Sequence, residues 1–300
     1  MNLMAIINSS LGIGAALAVG RLLPEKLGWK LADFIATRLA ARHDSPMVKT
    51  VRANQWVVRG GGLSPEELED ITLRVFKSDA RCLFDFYHNL NDPKKILYMV
   101  GFSPRFQAVF DERLKEKRGA LFVAPHLSAF DLAGLALAAR GLRFQILSYP
   151  QPGSGYTWQN KLRDERGLEV TPTSIASMQQ ARLRLQAGGT VLTGLDRPVP
   201  DAEILPRFFG RPAPVPVFYT RLALKTRVPV YVVAVSTLPD GKYLLDCSEP
   251  IEMIPGADPH EETRLNAERV LKAGEIFIRN HPDQWSMFYP VWPEALKEIP

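Results

Sequence analysis

The chain has 300 residues, 46% of them apolar and 23% charged, which suits one generous globular domain. That apolar share is too high for a disordered chain. A mean hydropathy of −0.08 excludes a polytopic membrane protein, and no sequence period supports a collagen, coiled-coil or repeat architecture. Lys and Arg number 37 against 32 Asp and Glu. This modest basic surplus suits contact with anionic lipid, a phosphate-bearing substrate or nucleic acid, and proves none of them. The cations are dispersed and accompany no nucleic-acid-binding signature, so no nucleic-acid partner is expected. Cys82 and Cys247 are the only cysteines and lie far apart, so a reducing cytosolic setting is expected, with neither disulfide nor zinc site. The histidines show no paired-ligand spacing, and no metal is expected.

Residues 1–20 carry no charged side chain and are strongly apolar. A bilayer-spanning helix needs ~20 such residues, and this stretch barely reaches that length. Ala16-Leu17-Ala18 resembles a signal cleavage site, but Met1-Asn2-Leu3-Met4 lacks the basic leading region of a secretory signal. Basic residues follow instead (Arg21, Lys26, Lys30, Arg38, Arg42) and would hold that flank on the cytoplasmic side. A buried core helix is the alternative to a membrane anchor. Residues 25–42 place Leu27, Leu31, Phe34, Ile35 and Leu39 on one helical face. That face suits core packing or, with Trp29 nearby, a bilayer surface. After Gly60-Gly61-Gly62, Ser64-Pro65-Glu66-Glu67 reads as a helix start with a capping box. Ser103-Pro104 predicts another helix, running to Lys117.

The rhythm changes at Gly119. Apolar or β-branched runs at 120–124, 144–147, 190–193 and 228–235 alternate with helical stretches ending at Arg140 and covering 174–187 and 216–226. Pro239-Asp240-Gly241-Lys242 predicts a turn, with Tyr243–Cys247 pairing back as a hairpin strand. Residues 260–280 form a last helix. The pattern predicts an α/β fold with a mixed, largely parallel central sheet flanked by helices. Three segments follow: an apolar membrane-associating stretch at 1–22, a helical region at 23–118, and an α/β core at 119–300 continuous with it.

Chemistry is best placed at Ala124-Pro125-His126-Leu127-Ser128-Ala129-Phe130-Asp131. A strand ends, a histidine follows in the loop, and an aspartate stands five residues later, where open α/β sheets gather their sites. If His126 precedes the helix and Asp131 lies in its first turn, the carboxylate can hold one imidazole nitrogen and leave the other as a base. Ser128-x-x-Asp131 is also a capping-box pattern, in which Asp131 merely satisfies the helix start.

This HxxxxD motif after an apolar strand sits behind a hydrophobic, basic N-terminus. Leu195-Asp196-Arg197-Pro198 leads to Arg207-Phe208-Phe209-Gly210-Arg211. Further stretches are Asn160–Gly167, Lys225-Thr226-Arg227-Val228-Pro229-Val230 and His281-Pro282-Asp283-Gln284-Trp285. Together and in this order they resemble the bacterial lipid A biosynthesis acyltransferases, the lauroyl and myristoyl transferases, and the related mycobacterial enzymes that acylate phosphatidylinositol mannosides. The resemblance covers most of the chain. It implies a glycerolipid-acyltransferase-like fold and O-acyl transfer from a thioester to a hydroxyl of a membrane glycolipid.

In that resemblance His126 is the general base and Asp131 orients it. Arg163, Arg166, Asp196 and Arg197 are oxyanion or substrate-binding candidates, as are backbone N–H groups at the helix start after His126. Phe208 and Phe209 would line the acyl channel. No permanently bound cofactor is implied. The donor is acyl carrier protein or coenzyme A thioester, the acceptor a membrane lipid, and the location the cytoplasmic face of the inner membrane, peripherally or through one N-terminal anchor. Two stretches depart from the lipid A pattern: the tail after Trp285 and Thr171–Ser174 are less basic, which bears on the acceptor. A glycerolipid or lysophospholipid acyltransferase, or an inactive lipid-binding relative, is the alternative; a Phe-Pro-Glu-Gly-Thr-type second motif is absent. No Gly-x-Ser-x-Gly elbow supports a serine hydrolase and no P-loop a nucleotide enzyme.

Overall fold

The computed structural model describes residues 10–116, 118–150 and 154–300. Part of the N-terminal expectation, residues 1–9, lies outside the described residues. Ser10–Leu22 is a helix, α1, and no helix among the described residues is long and apolar enough to cross a membrane. Four helices follow: α2 (Glu25–Ala40), α3 (Pro46–Val58), α4 (Pro65–Asn89) and α5 (Pro93–Met99). α4 starts as the sequence predicts, with Ser64 and Glu67 forming a reciprocal capping box. The helical region then contributes a short strand, β1 (Val100–Phe102), before α6 (Pro104–Glu116).

α2 does not bury its apolar stripe. Its buried face is the small-residue row Gly28, Ala32, Ala36 and Ala40, set against α4. A Cβ on Gly28 would stand only 1.9 Å from Phe84 Cζ, so glycine is what allows this close approach. Leu27, Phe34 and Ile35 are left exposed. Trp29 turns inward instead, its indole N–H donating to Asp85 Oδ1 at 2.7 Å.

The core contains β2 (Ala120–Ala124), α7 (Phe130–Ala139), β3 (Phe144–Ser148), α8 (Ser154–Asp164), β4 (Glu169–Pro172), α9 (Ile175–Gln186) and β5 (Thr190–Gly194). The small hairpin β6 (Arg207–Phe208) and β7 (Arg211–Pro212) precedes α10 (Phe218–Thr226), β8 (Val230–Thr237), β9 (Tyr243–Cys247) and α11 (Pro259–Asn280). Seven strands form one sheet in the order β1-β9-β8-β2-β5-β3-β4. All neighbours run parallel except the predicted β8–β9 hairpin. The predicted α/β class, mixed and largely parallel, is therefore observed. Alternation of side chains divides the sheet into two buried faces. Phe122, Phe144 and Val233 pack with Leu132 and Leu135 of α7. Leu121, Val191 and Val232 pack with helices α9, α10 and α11 on the other side.

Two strand connections position the site. The chain leaves β2 toward β3 over one face and leaves β5 toward β8 over the other. The crevice beyond the carboxyl ends of adjacent β2 and β5 is thus a topological switch point. The register pairs Ala124 with Gly194. His126 and Asp196 each lie two residues farther on and so face one another.

The segment after α11 is drawn back across this crevice. Asn54 of α3, buried, donates to the carbonyls of Met287 and Tyr289, both at 2.9 Å, and accepts from Val291 N–H at 3.2 Å. Asn54→Ala would orphan these buried backbone groups, and each such loss costs ~1–3 kcal/mol. We expect a destabilisation of about 2–4 kcal/mol in urea unfolding, with the midpoint falling and the slope unchanged.

Candidate active site

His126 lies in the loop between β2 and α7, half-buried, with Ser128 bending the chain through a left-handed conformation (φ 50°). Three backbone hydrogen bonds hold the loop: Leu127 N–H to Pro125 O at 2.8 Å, Ser128 N–H to Gln284 O at 2.8 Å, and Ser286 N–H to His126 O at 2.9 Å. The last two form a short antiparallel ladder with the C-terminal segment around Trp285.

The imidazole partner differs from the expected one. Asp196 Oδ1 is 2.6 Å from His126 Nδ1, while Oδ2 accepts the His126 backbone N–H at 2.9 Å and the Trp285 indole N–H at 2.7 Å. The Asp196 side chain is fully buried. A carboxylate only accepts, so Nδ1 carries the proton and Nε2 presents its lone pair. The ring packs over Gly194: a Cβ there would touch His126 Cε1 at 3.4 Å.

Asp131 lies in the first turn of α7 as predicted, but its carboxylate pairs with Arg163 of α8. Arg163 Nη2 lies 2.8 Å from Oδ1 and 2.9 Å from Oδ2, and Nη1 donates to Asn160 Oδ1 at 2.7 Å. The physical reason is charge: Arg163 is buried and requires an anionic partner. The capping alternative is not observed either. The residue before α7 is Ala129, and no side chain caps the helix.

The other expected site residues separate. Arg166 braces helices, donating to Leu90 O at 3.1 Å, Leu162 O at 2.8 Å and Asn91 Oδ1 at 2.7 Å. It does not border the cavity described below. Arg197 does border it, with its guanidinium 4.2 Å from the Tyr149 ring centroid and 4.4 Å from that of Tyr289. Phe208 and Phe209 are not channel walls. They pack in an aromatic cluster with Trp285 and Trp292 and so buttress the indole that holds Asp196. The N–H groups of residues 126, 127 and 128 are all committed, so the backbone candidates for an oxyanion are those at the start of α7, from Ala129 onward.

A cavity of about 570 Å³ opens beside His126 and runs between α7 and one face of the sheet. Phe130, Asp131 and Arg163 stand at its polar end; Gly134, Leu137 and Val233 line its apolar depth. Phe130 meets the His126 ring edge-on, 5.2 Å between centroids. The arrangement joins a base held by a buried carboxylate to an apolar chamber that suits a hydrocarbon chain.

Among the residues that sequence reasoning missed, Trp285 had been noted within a motif without a role. Asp79 had no signal at all. It lies on α4 between Phe76, whose ring packs on Phe288 at 5.3 Å, and Cys82, whose sulfur lies 3.7 Å from Ser128 Oγ. Helical spacing therefore sets it under the His126 loop. Burial pushes its carboxyl up to about 6, against the lowering effect of the neighbouring Ser286 hydroxyl; Asp131 raises it further and His126 lowers it.

The site therefore sets a carboxylate-held imidazole beside an apolar cavity at the strand ends of an α/β fold. The family model for bacterial lipid A biosynthesis acyltransferases matches residues 2–294, and the chain belongs to that family. Membership makes it an acyltransferase and implies an acyl donor and a lipid acceptor. No curated protein matches the chain.

The pH prediction follows from Asp79, whose folded value of about 6 exceeds the ordinary 3.8. The stabilising contribution of its proton is complete below the unfolded value and is lost as pH rises through about 6. Asp79→Asn should melt like the wild type near pH 4 and at higher temperature near pH 7. Calorimetry across that window checks the sign; an equal Tm at both pH values would contradict it.

Proposed function

We propose that the protein moves a fatty acyl chain from a thioester of acyl carrier protein or coenzyme A to a hydroxyl of a membrane glycolipid, of lipid A or phosphatidylinositol mannoside type. The observation that carries this reading is the His126–Asp196 pair, with Nε2 the available base beside the apolar cavity. In the proposed reaction Nε2 takes the proton of the acceptor hydroxyl. The oxygen attacks the thioester carbonyl, and Asp196 stabilises the imidazolium that forms. The tetrahedral adduct collapses, the carbon–sulfur bond breaks, and the imidazolium returns its proton to the leaving thiolate. An ester and a free thiol result. The acyl chain lies along α7 in the cavity, and the Asp131–Arg163 pair fixes the polar end of that chamber.

Asp196→Asn is the direct test. The amide can occupy the site but cannot enforce the Nδ1–H tautomer or balance an imidazolium. Turnover should fall by about 10²–10⁴, read by thin-layer analysis of lipids after incubation with a labelled acyl thioester. An asparagine variant with wild-type transfer would refute the dyad.

We also place the protein on the cytoplasmic face of the membrane. Supporting this are the exposed Leu27, Phe34 and Ile35 on α2, flanked by exposed Lys26, Lys30 and Arg38. The nearby acids Glu25 and Asp33 pair with Lys95 and Arg81, so the flank meets lipid as a net cation. Leu27→Asp combined with Phe34→Asp should weaken sedimentation with anionic vesicles at least tenfold. Because both side chains face solvent, Tm should change little. Undiminished vesicle binding would exclude this face as the contact.

A further inference from the structure

A developing oxyanion needs at least one donor aimed at it, and the three backbone N–H groups of the His126 loop are already used. Ser148, the last residue of β3, offers one. Its hydroxyl is buried without a hydrogen-bond partner, and the residue borders the cavity. Buried hydroxyls are ordinarily paired, since an unpaired one sacrifices its hydration without return. An unpaired hydroxyl beside a cavity is therefore a donor available to a molecule that enters it.

Its position fits the reacting carbonyl. β3 pairs with β5 through Leu147 and Thr193, and Ser148 lies one residue beyond, alongside Gly194. Parallel neighbours stand ~4.8 Å apart, and Ile146 and Ser148 share the sheet face of Leu192 and Gly194. Gly194 lies against the His126 ring, Cε1 being 3.4 Å from where a Cβ on Gly194 would stand. Ser148 and His126 thus flank the same space, at the carboxyl ends of the strands, above the apolar depth of the cavity. The backbone of Ser148 is fixed from the far side, its carbonyl accepting from Thr173 N–H at 3.0 Å and Thr173 Oγ1 at 2.7 Å. Such fixing holds the Ser148 backbone, and with it the Cβ that carries the hydroxyl, in place beside the cavity.

We propose that Ser148 Oγ–H donates to the thioester carbonyl oxygen and stabilises the oxyanion of the tetrahedral adduct. This role rests on the acyl-transfer reading. The hydroxyl keeps its own proton throughout; negative charge forms on the carbonyl oxygen as the acceptor oxygen bonds to carbon, and returns to sulfur when the carbon–sulfur bond breaks.

The test is thiol release from palmitoyl coenzyme A and from palmitoyl acyl carrier protein, which counts transfer to lipid and to water alike, by wild type, Ser148→Ala and Ser148→Thr. Loss of one oxyanion donor typically costs ~10²–10³ in kcat. The alanine variant should show that fall with little change in the KM for the thioester, and threonine should recover part of it. Tm of the alanine variant should equal or exceed that of the wild type, because no partner is lost and an unpaired hydroxyl is removed. Alanine turnover within about threefold of an active wild type would overturn the Ser148 role and leave the acyl-transfer reading standing. A kcat loss that tracks a lower Tm in both variants would also overturn it, by making the residue structural. A wild type that releases no thiol from either thioester would sink the proposed transfer reaction, and the Ser148 role with it.

Discussion

One register holds the site together. Pairing Ala124 with Gly194 across β2 and β5 sets His126 and Asp196 opposite one another, and backbone hydrogen bonding between parallel strands fixes that relation more firmly than any side-chain contact. A slip by one residue would turn the paired side chains to the other sheet face. The buried faces on both sides, Phe122 and Phe144 on one and Leu121 and Val191 on the other, make such a slip costly. Core packing thereby becomes positional accuracy at the imidazole.

The dyad then depends on a third element from the far end of the chain. Asp196 is wholly buried, and a buried carboxylate must have its lone pairs occupied. It accepts from the ring and backbone of His126 and from the Trp285 indole. Trp285 sits among Phe208, Phe209 and Trp292, while Asn54 and the His126 ladder fasten its strand-like segment. Aromatic packing that looks remote from the chemistry thus orients the carboxylate that orients the base.

Both ends of the molecule serve one geometry. α4 carries Phe76, Asp79, Cys82 and Asp85 on successive turns toward the C-terminal segment, the His126 loop and the sheet. It accepts α2 through glycine and alanine on its other side. With the small residues buried, the larger apolar side chains of α2 are left outside. That is the reverse of ordinary amphipathic packing.

Local patterns in the sequence determined much of this protein. Periodicity located β2, β3, β5, β8, β9 and most of the helices, because side-chain alternation and capping act between near neighbours. The Ser64–Glu67 box is one instance, and the turn before Tyr243 another. The motifs around His126 placed the site at a strand end and indicated the family. Which groups meet was decided only by tertiary structure. Asp131, five residues from His126, was the obvious partner by spacing, yet it neutralises buried Arg163. Asp196, far away in sequence, reaches the ring through strand pairing. The short strands β1 and β4 escaped notice because three or four residues carry too little periodic signal, and Phe208 and Phe209 could not be told from channel walls by composition. Asp79 and Ser148 are distinguished only by their surroundings: one carboxyl partly desolvated and one buried hydroxyl without a partner. Local order follows from interactions a few residues apart, whereas desolvation and long-range pairing exist only once the chain has folded.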